Sequence, residues 1–233
     1  MSLKKNVIAN FLGQGWTGIM ALAFIPVYIK YLGVESYGLI GVFVALQAWL
    51  VLLDFGMTPT INREMARYTA GSHTSQSIGN LLRSLEVVCF MMAVVMVLVI
   101  YSLSSWLATD WLKVEKLSTD VVSQAIAIIG LVVALRFIEG LYRGAIIGLQ
   151  KQVWLNCILS FSAALRWAGA AAVVIWIRPD IKAYFLWHGL VSIFTIILFA
   201  TAVHTWLPKP EKKIMFSVDA LKSIWVFARG MVL

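Results

Sequence analysis

Arg136-Phe137-Ile138-Glu139-Gly140-Leu141-Tyr142-Arg143 lies inside an apolar run from about Val121 to Leu149. A run of this length and hydropathy reads as a membrane span, which needs roughly 20 residues. The charges at 136, 139 and 143 stand at i, i+3 and i+7, on one face of a helix. Near a bilayer's centre each costs at least ~2.5–3.5 kcal/mol, so a spanning helix keeps them only where they face protein or a wet cavity. Two arginines beside one glutamate leave that face with excess positive charge. Two readings stay open. One is a self-neutralised triad that holds helices together; the other is one wall of a polar pathway that suits an anionic substrate.

Composition points the same way. The chain is 61% hydrophobic and 13% charged, against roughly 45–50% apolar and 25% charged in soluble domains. A net charge of +8 is compatible with nucleic-acid binding. Here the basic residues sit mostly in short loops between apolar runs, so no nucleic-acid partner is expected and the lipid bilayer is. Cys89 and Cys157 both lie in apolar runs and offer neither a disulfide framework nor metal-ligand spacing. No metal and no cofactor are expected.

In chain order, six spans are expected: about Val7–Leu32, Tyr37–Gly56, Leu81–Leu107, the quoted run, Gln152–Ile177 and Tyr184–Trp206. Ala21-Leu22-Ala23 resembles a signal cleavage site, but the first run continues past it. That run also carries Asn6, Asn10, Gln14 and Thr17 as one polar stripe, which suits a cavity-facing helix and not a signal core. Gly13, Gly15 and Gly18 permit close helix contact, and Pro26 predicts a kink. Gln152, Asn156 and Ser160 share a face of the fifth span, with Arg166 mid-span; His188, Ser192 and Thr195 share a face of the sixth. Residues 57–80 read as an interfacial loop. The stretch 208–218 reads as a basic cytoplasmic linker, and 219–233 as the start of a seventh helix, too short to span. The expectation is therefore an all-α polytopic membrane protein: a six-helix bundle over 1–207 and a fragment of a longer transporter.

Basic residues set the orientation. With the N-terminus inside, Lys4, Lys5, Arg63, Arg67, Arg83, Arg143, Lys151, Lys209, Lys212, Lys213 and Lys222 fall inside. Lys30, Lys113, Lys116, Arg178 and Lys182 fall outside. The bias favours a cytoplasmic N-terminus. Asp54, Arg83, Glu86 and Arg143 then lie toward cytoplasmic helix ends, as a structural or gating ion-pair cluster, with Arg63 in the adjoining loop. Arg136, Glu139, Arg166 and Arg229 lie deeper and are the pathway candidates, joined by the polar residues Asn10, Gln14, Asn156 and Ser160. Glu139, Asp54 and Glu86 are the carboxylates in the spans able to take a coupling proton, although two neighbouring arginines oppose that role for Glu139. A membrane enzyme would need a catalytic group in an outer loop. Those loops hold Glu35, Asp110, Glu115, Asp120 and Asp180, with no histidine and no clustered carboxylate pair. No enzyme activity and no catalytic residue are expected.

Several segments resemble a known family. They are Asn10-Phe11-Leu12-Gly13-Gln14-Gly15-Trp16, Pro26-Val27-Tyr28-Ile29-Lys30-Tyr31-Leu32-Gly33, Glu35-Ser36-Tyr37-Gly38-Leu39 and Leu53-Asp54-Phe55-Gly56 followed by Asn62-Arg63-Glu64. Tyr142-Arg143-Gly144 with Gly148-Leu149-Gln150-Lys151 adds to them. Together they resemble the Wzx-type O-antigen flippases of the MOP exporter superfamily, most strongly over residues 1–70. The resemblance implies two bundles of about six helices around a central cavity, of which this chain is the N-terminal lobe. It implies alternating access, often coupled to H⁺ or Na⁺. It implies an undecaprenyl-diphosphate-linked oligosaccharide as substrate, carried across the bacterial inner membrane for O-antigen or other polysaccharide synthesis, with an O-antigen polymerase and a chain-length regulator as partners. On this reading the arginines hold the diphosphate, and polar faces of the first, fifth and sixth helices accommodate sugars. A lipid II flippase and a drug extruder are the alternatives within the superfamily, and an enzyme acting on lipid-linked sugars is the alternative outside it.

Overall fold

The computed structural model describes residues 3–54, 56–112, 117–208 and 216. Arg229, most of the basic linker and the expected seventh helix lie outside the described residues. Every described element is helical. The first span is two helices, α1 (Leu3–Ala23) and α2 (Ile25–Leu32), with Pro26 in the first turn of α2. Proline is tolerated there because that N–H would be unpaired anyway, and it prevents α1 from continuing. Gly33 (φ +82°) makes the turn into α3 (Val34–Leu53).

Gly56 (φ +75°) leads into α4 (Met57–Thr69). The expectation of a loop over 57–80 fails here. The density of polar residues from Asn62 to Arg67 conceals an amphipathic pattern in which Met57, Ile61, Glu64 and Met65 are buried. Next comes α5 (Ser75–Trp106), capped by the Thr74 hydroxyl accepting from Ser77 N–H and prolonged by a π-helical turn over Leu107–Trp111. Ser118 caps α6 (Thr119–Gly148) in the same way, accepting from Val121 N–H. α7 (Gln152–Ala172) ends in a second π turn, Val173–Ile177. The Asp180 carboxylate accepts from Lys182 N–H at the start of α8 (Ile181–Trp206).

Five stretches among the described residues are long and apolar enough to cross a membrane: Lys5–Leu32, Ser75–Trp111, Thr119–Gly148, Gln152–Ile177 and Ile181–Trp206. The described apolar part of α3, Val34–Trp49, is shorter. At 1.5 Å per residue the 26-residue α8 extends ~39 Å, enough for a ~30 Å hydrocarbon core. Phe90, Met91, Val95 and Leu98 on α5 and Leu186, Leu190 and Ile197 on α8 are exposed. Lipid, not water, suits such surfaces. The protein is a multi-pass membrane protein.

α6 is the central helix and packs on α3, α4, α5 and α8; α7 joins α8 to α1. Lipid tails are as apolar as leucine, so close packing and polar contacts must hold membrane helices together. Gly140, Gly144 and Gly148 give α6 a flat strip against α4. A Cβ on Gly144 would stand 2.8 Å from the Thr58 carbonyl oxygen, and one on Gly148 would collide with the Asn62 carbonyl. The α1–α7 seam uses Gly13, where a Cβ would stand 2.6 Å from Asn156 Oδ1. Gly15 and Gly18, also expected at contacts, have open space around them.

The polar face of the sixth span differs from expectation. His188, Ser192 and Thr195 are buried inside the bundle, at 1%, 0% and 0% exposure. The His188 ring packs on Phe43, Trp167 and Tyr184. That face is turned into the bundle, toward Phe43 on α3 and Ser162, Arg166 and Trp167 on α7.

Candidate functional site

A cavity of about 230 Å³ opens where α1, α6 and α7 meet, and Gln14, Arg136, Glu139, Arg143, Asn156 and Arg166 are among its walls. Three arginines face one glutamate, so the cavity is strongly cationic. Arg166 Nη2 donates to Glu139 Oε2 at 2.7 Å, and both residues are only 5% exposed. Arg136 reaches the same oxygen only at 4.0 Å. The Nε atoms of Arg136 and Arg166 are buried without a hydrogen-bond partner among the described residues. Arg143 is exposed and lines the same cavity.

This changes two expectations. Glu139 takes its main partner from α7 and not from its own helix, so the triad of 136, 139 and 143 is not a closed unit. Arg143, expected beside Arg83 and Glu86, lies with Arg136 and Arg166 instead, because its turn of α6 faces α1 and α7.

α1 supplies the cavity's polar side. Asn156 Nδ2 donates to Asn10 Oδ1 at 2.5 Å and to the Gln152 carbonyl at 2.8 Å, while Gln14 and Thr17 face the cavity. Ser160 is outside this lining; its backbone carbonyl accepts from Trp16 Nε1 at 3.1 Å. Thr17 lines the cavity as well, three residues on from Gln14 and so on the same face of α1.

A second cavity, of about 380 Å³, shares Arg136 and adds Asp54, Thr58, Pro59 and Phe137. Asp54 Oδ1 accepts from Thr58 Oγ1 at 2.9 Å, and Oδ2 accepts from Thr58 N–H at 3.1 Å. The carboxylate thus anchors the first turn of α4.

Two further polar clusters stand toward the end of the bundle that carries α4. Glu86 accepts from Tyr142 Oη at 3.0 Å, meets His204 Nε2 at 2.9 Å and pairs with Arg83 at 3.3 Å. This ties α5, α6 and α8 together, beside a cavity of about 350 Å³. Arg63 donates through Nε to Glu64 Oε1 at 2.9 Å. Arg67 lies 3.3 Å and His73 2.6 Å from Glu64 Oε2. Burial alone would raise the Glu64 pKa, but the hydrogen bonds from Arg63 and His73 and the charges of Arg63 and Arg67 outweigh it and hold the carboxyl below its ordinary value. Arg63, Glu64 and Arg67 all belong to α4, and His73 joins them from the turn that follows it.

Two carboxylates expected at the outer face have structural work: Glu35 Oε2 accepts from Leu117 N–H at 3.0 Å, and Asp180 caps α8. No group of three or more metal-ligating side chains comes together among the described residues.

Helices long and apolar enough to cross a membrane thus surround a cavity lined by three arginines and one glutamate. The model of the polysaccharide biosynthesis protein family matches residues 3–229, and the chain belongs to that family, the one that contains the Wzx-type flippases of the MOP superfamily. No curated protein and no solved structure matches the chain. The protein is thus a flippase-type transporter of polysaccharide biosynthesis.

Proposed function

We propose that the protein flips undecaprenyl-diphosphate-linked oligosaccharide units from the cytoplasmic to the periplasmic leaflet of the bacterial inner membrane, with its N-terminus in the cytoplasm. The carrying observation is the cavity lined by Arg136, Arg143 and Arg166, with Glu139 as the single carboxylate in its walls among the described residues. Arginine meets phosphate with a planar, bidentate fork and stays charged when desolvated. Arg166 is held in place by Glu139, so Arg136 and Arg143 are the cations free to meet the diphosphate. Gln14, Thr17 and Asn156 offer hydrogen bonds beside them. The prenyl tail remains in lipid while the bundle, one of two lobes with α3 as its second span, rocks to expose the head group on the far side. An excess of arginine disfavours cationic drugs as cargo. Glu86, held by Tyr142 and His204 outside the arginine cavity, is the carboxylate we assign to the coupling H⁺ or Na⁺.

The test is expression in cells lacking their own O-antigen flippase, with Arg136→Ala alongside. Arg166→Ala is the poorer probe, because it leaves Glu139 as an uncompensated buried charge and destabilises the fold by ~3–5 kcal/mol. Wild-type protein should restore surface O-antigen, and Arg136→Ala at equal membrane abundance should lose it. Export that survives Arg136→Ala overturns the diphosphate reading. No restoration by a well-expressed wild type moves the substrate to another lipid-linked sugar, lipid II first.

A further inference from the structure

Arg136 belongs to two cavities that differ in charge. On one side it faces Arg143, Arg166 and Glu139, and the lining is strongly cationic. On the other it faces Asp54 and Thr58, so that one cation meets one carboxylate and the lining is polar but balanced. Pro59 and Phe137 add an apolar wall to this second compartment. Its volume, about 380 Å³ against about 230 Å³, is the larger. α6 brings the two together: a Cβ on Gly140, one turn beyond Arg136, would stand 3.8 Å from Thr58 Oγ1. Gly140 itself thus places no side chain between that turn and Thr58 at the start of α4.

We infer that the Asp54 compartment binds the first sugar of the lipid-linked substrate while the arginine compartment holds its diphosphate, with Arg136 at the boundary. This deepens the transport reading above and rests on it. A carboxylate has about four acceptor positions, and Thr58 N–H and Oγ1 do not exhaust those of Asp54. The remaining positions accept sugar hydroxyls. Arg136 donates from the other side, and the apolar wall takes the C–H face of a pyranose ring. A neutral, hydroxyl-rich group bonded directly to a diphosphate has the same order of chemistry as the two compartments: polar and uncharged, then anionic. A second diphosphate would meet repulsion at Asp54, so the arrangement also fixes which end of the head group enters which side.

Native mass spectrometry of the purified full chain tests this with two probes: undecaprenyl diphosphate, and the lipid-linked oligosaccharide fraction extracted from the cells that make the protein. The variants are Asp54→Asn, which retains an acceptor for Thr58 N–H, and Thr58→Val. Wild-type protein should bind both lipids and prefer the glycosylated one. Each variant should lose about tenfold of that preference while undecaprenyl diphosphate binds as before. Equal loss for both lipids would mean that α4 has been dislodged and would overturn the assignment, as would an unchanged preference. A wild type that binds neither lipid overturns the transport reading and this inference with it.

Discussion

Arg166 Nη2 on α7 stands 2.7 Å from Glu139 Oε2 on α6, and both side chains are almost completely buried. The pair joins two helices long and apolar enough to cross a membrane. Its Coulomb energy is offset by desolvation, so its net worth is small, yet loss of one member exposes the whole penalty of the other.

Arg166→Leu alone, or Glu139→Leu alone, should therefore lower stability by ~3–5 kcal/mol, while the double substitution should cost far less. Thermal unfolding of the four proteins in one detergent measures the coupling. Additive losses would show that the two residues act separately.

The glycine strip on α6 predicts a graded series. Gly140→Ala should be nearly neutral, because the nearest atom would be 3.8 Å away. Gly144→Ala and Gly148→Ala push a methyl group into the Thr58 and Asn62 carbonyls and should cost ~1–3 kcal/mol each. Limited proteolysis at α4, read beside thermal unfolding, should rank the three in that order.

Glu64 sets a pH dependence outside the spans. Its folded pKa lies below the ordinary value of 4.5, so its contribution is fully present above that value. It is lost as pH falls through the lower, folded pKa. Wild type should exceed Glu64→Gln in stability at neutral pH, and the difference should shrink steadily below about pH 4.5. A constant difference down to pH 3 would contradict the assignment.

At the α1–α7 seam, Asn10→Ala removes the acceptor for Asn156 and should cost ~0.6–1.7 kcal/mol. Gly13→Leu meets Asn156 directly and should cost more. Proteolysis within α1 should be faster in Gly13→Leu than in wild type if α1 has been pushed away, and an unchanged rate would contradict this account of the seam.

Much of this was legible in the sequence, for identifiable reasons. Apolar length gave the long spans, since the bilayer fixes how many residues a helix needs; the fifth and sixth ended within a residue of the structure at 177 and 206. The stripe of Gln14 and Thr17 on one side of a cavity followed from helical periodicity. What was not legible depends on the rotation of one helix against another. Periodicity showed that Arg136, Glu139 and Arg143 share a face, but the partner of Glu139 comes from α7, whose register α6 does not encode. The same holds for His188, Ser192 and Thr195: a polar face is visible in sequence, whereas the neighbour that covers it is not. α4 was hidden differently, by a polar face that contains its own ion pairs. The regular spacing of Gly140, Gly144 and Gly148 was the available signal for a helix packed there.

α1 is fastened to the bundle chiefly along α7, by Asn10 on Asn156, Trp16 on the Ser160 carbonyl and the bare surface of Gly13. α6, by contrast, is gripped from several sides. The two helices that flank the arginines therefore differ in how easily they yield: one behaves as a post, the other as a door leaf hung on a single edge. α1, packed chiefly on α7, is the less restrained of the two. On the transport reading proposed above, a cargo whose tail stays in the bilayer would enter past that leaf, while the post keeps Arg136 and Arg143 in position.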